Sequence, residues 1–147
     1  MATVKHLLGS KGKAVWSVTP NTKTLEALKL MADKDIGALL VMDGEKLVGI
    51  ISERDFARRL AASGVYDIHQ PVKEVMITNV YYANPENTTE ECMKLMTNKH
   101  IRHLPILEKE KIVGLITIGD IVKEIIDNQQ STIKSLENYI TGQSFGL

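Results

Sequence analysis

The chain of 147 residues has one cysteine, Cys92, a formal net charge of zero, and no long apolar run. Each shortage excludes something. A single cysteine closes no internal disulfide and builds no multi-cysteine metal site. Eighteen Lys and Arg offset eighteen Asp and Glu, which removes the electrostatic footprint of a nucleic-acid binder and leaves room only for a local basic patch. Crossing a bilayer takes about 18–20 consecutive apolar residues, and no such run occurs. The start, MATVKHLLGSKGK, has too short an apolar part for a signal peptide. What is present is 44% apolar and 24% charged residues, an ordinary soluble composition. The length suits one domain, or two small units sharing a core, and buries roughly 68–70% of the unfolded surface without staples. The expectation is a cytoplasmic α/β protein.

An internal repeat sharpens this. Shifted by 65, residues 20–60 fall on 85–125 without a gap, and 15 of the 41 positions are identical, Pro20/Pro85, Lys34/Lys99, Gly49/Gly114 and Asp55/Asp120 among them. Unrelated segments would match at about two or three. Upstream the offset changes, because Val4-Lys5 pairs with Val72-Lys73 and Leu7-Leu8 with Val75-Met76. The first unit therefore carries three extra residues within Gly9–Thr19, placed near Lys11-Gly12-Lys13. Units of this size are uncomfortable alone; packed face to face with pseudo-twofold symmetry they bury both apolar sheets. The division is 1–66, 67–130 and a C-terminal amphipathic helix or tail, 131–147.

Each unit reads alike. A Pro-led turn opens a helix near Thr24 or Thr89, with apolar columns at 27/92, 28/93, 30/95 and 31/96 giving it one buried face. Ile36–Met42, Asp43-Gly44 and Leu47–Ile51 read as strand, turn and strand, hence a β-hairpin. Ile101–Leu107, Glu108–Lys111 and Ile112–Ile116 repeat it, with a charged loop in place of Asp-Gly. Helices then start at Ser52 and Thr117.

The most informative pair of segments is Gly49-Ile50-Ile51-Ser52-Glu53-Arg54-Asp55 and Gly114-Leu115-Ile116-Thr117-Ile118-Gly119-Asp120. One reading is purely structural: Ser52 and Thr117 cap helices, and the Asp three places on closes a capping box and favours the helix dipole. Two features press beyond it. Gly49 and Gly114 sit in apolar strands, where Gly implies a close approach to the backbone, and Gly119 in a first helical turn costs up to about 1 kcal/mol against Ala. The other reading is a ligand site. A helix N-terminus suits phosphate, and an ionised Asp is acceptor-only and takes both hydroxyls of a ribose diol. With an apolar strand pair for a base, that describes a nucleotide site, present twice.

Over residues 4–126 the chain resembles the cystathionine-β-synthase (CBS) domain family, with its G-h-x-[S/T]-x-x-D element in both copies. The combination with Arg102-His103-Leu104-Pro105-Ile106 is similar to small stand-alone CBS-pair proteins. The resemblance implies an α/β fold of tandem CBS repeats packed as a pseudo-twofold pair (a Bateman module), each a small sheet with two helices. It implies adenine nucleotide in two clefts, from among AMP, NAD, ADP, ATP and S-adenosylmethionine, and no required cofactor. Arg54, Arg102, His103 and two helix N-termini neutralise one or two phosphates more readily than three, so AMP or NAD is expected over ATP. Asp55 and Asp120 would hold ribose, and Ser52 and Thr117 would lie near phosphate. Arg54, Arg102 and His103 would face phosphate, Gly37, Ala38 and Leu39 would line the first adenine pocket, and Thr19 would offer a hydroxyl. Gly119 stands where the first unit has Arg54, so the clefts should differ. With Arg102 and His103 assigned to the Asp120 half, that half is expected to bind more tightly.

The resulting function is a non-catalytic regulatory module that signals nucleotide occupancy to an effector protein, forms a homodimer, and contacts neither nucleic acid nor membrane. The alternative is a structural or protein-interaction dimer with no nucleotide ligand. Nothing assembles a nucleophile, base and oxyanion site. Cys92 falls opposite Ala27 and reads as a buried thiol, His100 and His103 complete no metal-ligand set, Trp16 and Tyr81-Tyr82 either pack or stack on a base, and Lys11-Gly12-Lys13 reads as a solvated loop. Ile126, Ile133, Leu136 and Ile140 form an apolar stripe on a helix ending near Gly142.

Overall fold

The computed structural model describes residues 2–12 and 14–142. Its first unit contains α2 (Thr24–Lys34), β2 (Ala38–Asp43), β3 (Lys46–Ser52) and α3 (Glu53–Ser63), preceded by α1 (Val4–Lys11) and a short β1 (Ser17–Val18). The second contains α4 (Thr89–Lys99), β4 (His103–Glu108), β5 (Lys111–Thr117) and α5 (Ile118–Thr141), preceded by one 3-10 turn at Val72–Glu74. The expected helix starts are in place. Thr88 caps α4 in a reciprocal box with Glu91, and α2 and α4 end on left-handed Asp35 and His100 at equivalent positions.

Both hairpins are antiparallel and share a register shift, between Val41 and Met42 and between Ile106 and Leu107. Their turns differ. The first strand runs through Asp43, leaving Gly44 and Glu45 as the loop, and only Gly44 has positive φ, the glycine-first pattern of a type II′ turn. In the second, Lys109 and Glu110 both take positive φ, the type I′ pattern, without glycine. β1 adds to β2 in parallel, while the second unit has only a parallel bridge from Ala83 to Ile106 at that place.

The two cores do not follow the sequence units. α1 contributes Val4, Leu7 and Leu8 to the second unit's core, with Cys92, Met96, Leu104, Ile106, Ile116 and Ile121. Val72 and Val75 enter the first, with Ala27, Met31, Leu39, Val41, Ile51 and Phe56. Each leading segment thus covers the opposite unit, and the same hydrogen bonds hold both. Val4 and Lys5 N–H donate to Asn87 and Pro85, and Val72 and Lys73 N–H donate to Thr22 and Pro20, all within 2.8–3.1 Å. A boundary at 66/67 divides the repeats but not the cores.

This exchange explains the strand glycines. A Cβ on Gly114 would lie 2.6 Å from Leu8 Cδ2, and one on Gly49 would lie 2.5 Å from Met76 Sδ. The close approach inferred from sequence is made by side chains of the exchanged segments, so these glycines are packing features and no argument for a ligand. Residues 131–141 continue α5 without a break to the left-handed cap at Gly142, where the apolar stripe was expected to end, and residues 143–147 lie outside the described residues. No helix among the described residues is long and apolar enough to cross a membrane.

Candidate functional site

α3 and α5 begin where their hairpins end, and their caps set the geometry. Ser52 Oγ accepts from Asp55 N–H at 3.2 Å and lies 2.8 Å from Asp55 Oδ2, to which it donates. Thr117 Oγ1 accepts from Asp120 N–H at 3.0 Å, and Thr117 N–H donates to Asp120 Oδ2 at 2.8 Å. The capping function is therefore real in both copies. Each helix start is tied to the beginning of its own hairpin, with Glu53 N–H donating to Gly37 and Ile118 N–H to Arg102.

A cleft of about 400 Å³ opens beside the α3 start, with Ser52, Arg54 and Asp55 on one wall and Lys99, Arg102 and His103 on the other. Arg102 and His103 thus line the Asp55 cleft, a place not expected from sequence, while His103 also stays beside the Asp120 half as the strand partner of Thr117. The start of β4 lies beside the start of the other hairpin, with His103 next to Gly37. A Cβ on Gly37 would lie 3.4 Å from the His103 ring, so Gly37 is the small residue that gives this imidazole room. Burial, then Lys11 and Arg102, push the His103 pKa below its ordinary 6.5, against Asp120 and Asp55. The ring is therefore neutral near pH 7 and feels both carboxylates.

Arg58, Lys99, Ile50 and Ile77 also line this cleft and are not candidate ligand contacts by sequence; His100, weighed from sequence only as a metal ligand, lines it too. Arg58 lies one helical turn beyond Arg54, so i,i+4 spacing would have found it. Lys99 and His100 needed the tertiary fold. Four permanent cations, Arg54, Arg58, Lys99 and Arg102, face two carboxylates, Glu53 and Asp55, which leaves an excess of two positive charges (four minus two) in the cleft. A larger cavity of about 710 Å³ lies between the hairpin ends, among Asp43, Lys46, Lys109 and Glu110. No residue of a helix start lines it, so its size does not make it the better candidate.

Other expected residues sit elsewhere. Ala38 and Leu39 are buried, Leu39 with its side chain in the first core, so neither lines the cleft as expected. As neighbours on β2 they point to opposite faces, and both faces are covered there. Thr19 hydrogen-bonds locally to Thr22, through its N–H at 3.1 Å and its hydroxyl at 3.0 Å, and is not in the cleft wall. Gly119 lies in the first turn of α5, where a Cβ would make ordinary contact with Thr117 Oγ1 at 3.5 Å. Trp16 and Tyr81 lie under the ammonium groups of Lys34 and Lys99, at 4.4 and 5.3 Å from the ring centroids. The Cys92 thiol is buried and pushed up to about 11, which suits a core thiol and not a nucleophile. No group of three or more potential metal ligands occurs among the described residues.

The loop expectation for Lys11-Gly12-Lys13 is corrected in part. Lys11 belongs to α1, and its Nζ lies 2.5 Å from Asp120 Oδ2 and 2.6 Å from the Leu115 carbonyl. Gly12 caps the helix, and Lys13 lies outside the described residues. The Asp120 side is accordingly a smaller cavity, about 290 Å³, lined by Lys11, Asp120, Lys123, Glu124 and Asp127 among others.

Two crossed hairpin–helix units, each presenting a capped helix start to a cleft, define the class: a tandem-repeat α/β module built around a pseudo-twofold axis. The chain belongs to the CBS-domain family, whose model, "CBS domain", matches residues 12–62 and 72–127. It is 34% identical to the CBS domain-containing protein YhcV of Bacillus subtilis, over 89% of this chain and 91% of that protein. A protein with CBS domains from Burkholderia ambifaria has a structure similar at TM-score 0.81 and 44% identity, covering 87% of this chain and 96% of that one. The CBS domain pair of MJ0100, solved with 5′-methylthioadenosine and S-adenosyl-L-methionine, is similar at TM-score 0.76 and 25% identity, covering 87% and 98%. CBS pairs are regulatory modules, and some hold adenosine-containing small molecules.

Proposed function

We propose that this chain is a non-catalytic regulatory module that binds an adenine nucleotide, with AMP or the AMP half of NAD favoured over ATP, and reports occupancy to an effector protein. The observation that carries this is the Asp55 cleft, where a helix start, a carboxylate and cations from both units converge. Asp55 accepts from the ribose, and the α3 N-terminus with Arg54 and Arg102 takes the phosphate. A phosphomonoester carries about −1.5 to −2 charge, which the cleft's excess of two positive charges balances; a triphosphate brings more charge than the cleft neutralises. Because the cleft joins both units, a ligand there sets their relative position, which is how occupancy reaches a partner. The adenosine compounds of the MJ0100 pair support the base and ribose part of this reading.

A thermal-shift screen with AMP, ADP, ATP, NAD and S-adenosylmethionine tests it. A ligand at a hundredfold over Kd adds about 2.7 kcal/mol to stability. The expected order is AMP or NAD first, and ATP binding tenfold tighter than AMP by calorimetry would overturn the preference. A second reading, an interaction module without nucleotide, is favoured by the fact that both carboxylates already accept a hydrogen bond from their own cap residue, Asp55 from the Ser52 hydroxyl and Asp120 from Thr117 N–H. No shift with any of the five compounds would establish it.

The partner proposed for α5 is a second copy. Along this 24-residue helix, about 36 Å long, Val122, Ile126, Ile133, Leu136 and Ile140 are exposed. With Gln129 they follow one another at spacings of 4, 3, 4, 3 and 4. That is a heptad pattern with Ile126, Ile133 and Ile140 at a and Val122, Gln129 and Leu136 at d, and β-branched residues at a together with a single polar residue in the seam suit a two-stranded pairing. Light scattering should give twice the chain mass, and Ile133→Asp with Leu136→Asp should give a monomer.

A further inference from the structure

The segments 4–11 and 72–79 start alike, with Val4-Lys5 matching Val72-Lys73 and Leu7-Leu8 matching Val75-Met76, and then part. After Leu8 the first stays helical through Lys11. After Met76 the second becomes extended, and Ile77 pairs with Ile50, exchanging hydrogen bonds of 3.0 and 2.9 Å along the β3 edge. Position 79, the counterpart of Lys11, is Asn79. The consequence falls on the carboxylates. Lys11 Nζ bridges Asp120 Oδ2 and the Leu115 carbonyl, and the same Oδ2 also accepts from Thr117 N–H. Asp55 accepts a side-chain hydrogen bond from Ser52 and has no ion pair among the described residues.

A ligand diol needs lone pairs on the carboxylate, and a charge-assisted N–H···O bond of 2.5 Å is a stronger competitor for them than water. The pair is partly shielded, at 30% and 24% side-chain exposure, so solvent does not fully screen it. Glu124, on the same cavity wall, is only 8% exposed, and its Oε1 has no hydrogen-bond partner, with His6 Nε2 at 3.7 Å. The cavity therefore holds a second carboxylate that a cation leaving Asp120 can neutralise.

We propose that Lys11 determines how many clefts take a ligand: it occupies the Asp120 carboxylate from within the chain, so one nucleoside phosphate binds, at Asp55, and the Asp120 cleft opens only when Lys11 is withdrawn. This rests on the nucleotide reading above. The test is calorimetric titration of the full chain with AMP, comparing the parent with Lys11→Met, Lys11→Arg, Asp55→Ala and the Lys11→Met/Asp55→Ala pair. The proposal expects one site in the parent, lost in Asp55→Ala. Lys11→Met gains a second site and leaves the first within about twofold, Lys11→Arg keeps one, and the double variant binds one through Asp120. A Lys11→Met chain that folds, binds one equivalent like the parent and loses it with Asp55→Ala overturns the role of Lys11 while the nucleotide reading stands. Two sites in the parent, or a second site in Lys11→Arg, overturn it as well. Absence of AMP binding in every variant overturns the nucleotide reading and this proposal together.

Discussion

The Asp55 and Asp120 clefts start from the same seven-residue pattern, fold into the same strand–cap–helix corner, and finish with different chemistry. At Asp55 the carboxylate faces an open cavity with Arg54, Lys99, Arg102 and His103 around it. At Asp120 it is tied to Lys11, the preceding residue is Gly119 where the first unit has Arg54, and the cavity wall carries Lys123, Glu124 and Asp127. What makes the difference is not the motif but the chain that crosses over to meet it. A leading segment that stays helical delivers an ammonium, and one that turns extended delivers only the Ile77 backbone and side chain. Duplicated motifs therefore need not be duplicated sites.

The crossing itself carries the largest expected effect. Leu8 is buried in the second core although it belongs to the first repeat, so Leu8→Ala should destabilise by about 2–5 kcal/mol, as measured by urea unfolding. Its loss also clears the space a Gly114 Cβ would need, and Leu8→Ala/Gly114→Ala should recover part of the loss. If the second substitution adds its own cost instead, the two residues are not packed as described.

Next comes the ranking of the clefts. Asp55→Ala should weaken AMP binding tenfold or more, the loss of a charge-assisted hydrogen bond being about 1.5–3 kcal/mol, whereas Asp120→Ala should leave the tight site intact. This reverses the order expected from sequence, where Arg102 and His103 were assigned to Asp120. Calorimetry in which Asp120→Ala alone abolishes binding would restore the earlier order.

The strand glycines give a smaller comparison. Gly49→Ala meets Met76 Sδ at 2.5 Å and also the Ile77 carbonyl at 3.1 Å, whereas Gly114→Ala meets only the flexible end of Leu8. Overpacking costs about 1–3 kcal/mol, and Gly49→Ala should lie at the higher end, because a backbone carbonyl on a paired edge cannot turn aside. Equal melting temperatures for the two variants would contradict this.

The smallest effect is a titration. His103 is held below its ordinary 6.5, first by burial, then by Lys11 and Arg102, with Asp120 and Asp55 opposing. The unfolded chain therefore binds the proton more readily. Stability should fall as pH drops through about 6.5, and the loss should level off only once the folded ring itself protonates. His103→Gln should flatten that part of the profile. Lys11→Met removes one of the lowering charges, so the His103 resonance in an NMR titration should move at higher pH than in the parent.

Much of this was legible in the residues. Helical and alternating periodicities placed the hairpins, the repeat announced two equivalent units, and Ser52 and Thr117 marked the helix starts, because caps and periodicity are local physics. The sites were legible as motifs and not as assemblies. Arg102 and His103 were visible, but the cleft they enter was not, since sequence separation says nothing about which unit a strand start faces. Leu39 looked like pocket and is core, because an apolar residue on a buried strand fits either description. Gly49 and Gly114 did signal close approach, but Met76 and Leu8 reach them only through the tertiary exchange of segments.

By itself, then, the sequence determined the family, the two-unit α/β architecture and the hydroxyl–carboxylate pairs at both helix starts, since each depends on residues within a few positions of one another. The tertiary structure alone decided that the leading segments exchange units, that the cations gather at Asp55, and that Lys11 meets Asp120. Those contacts join residues up to 109 apart in the chain, and their partners are set by how two nearly symmetric cores satisfy their burial, which no local pattern encodes.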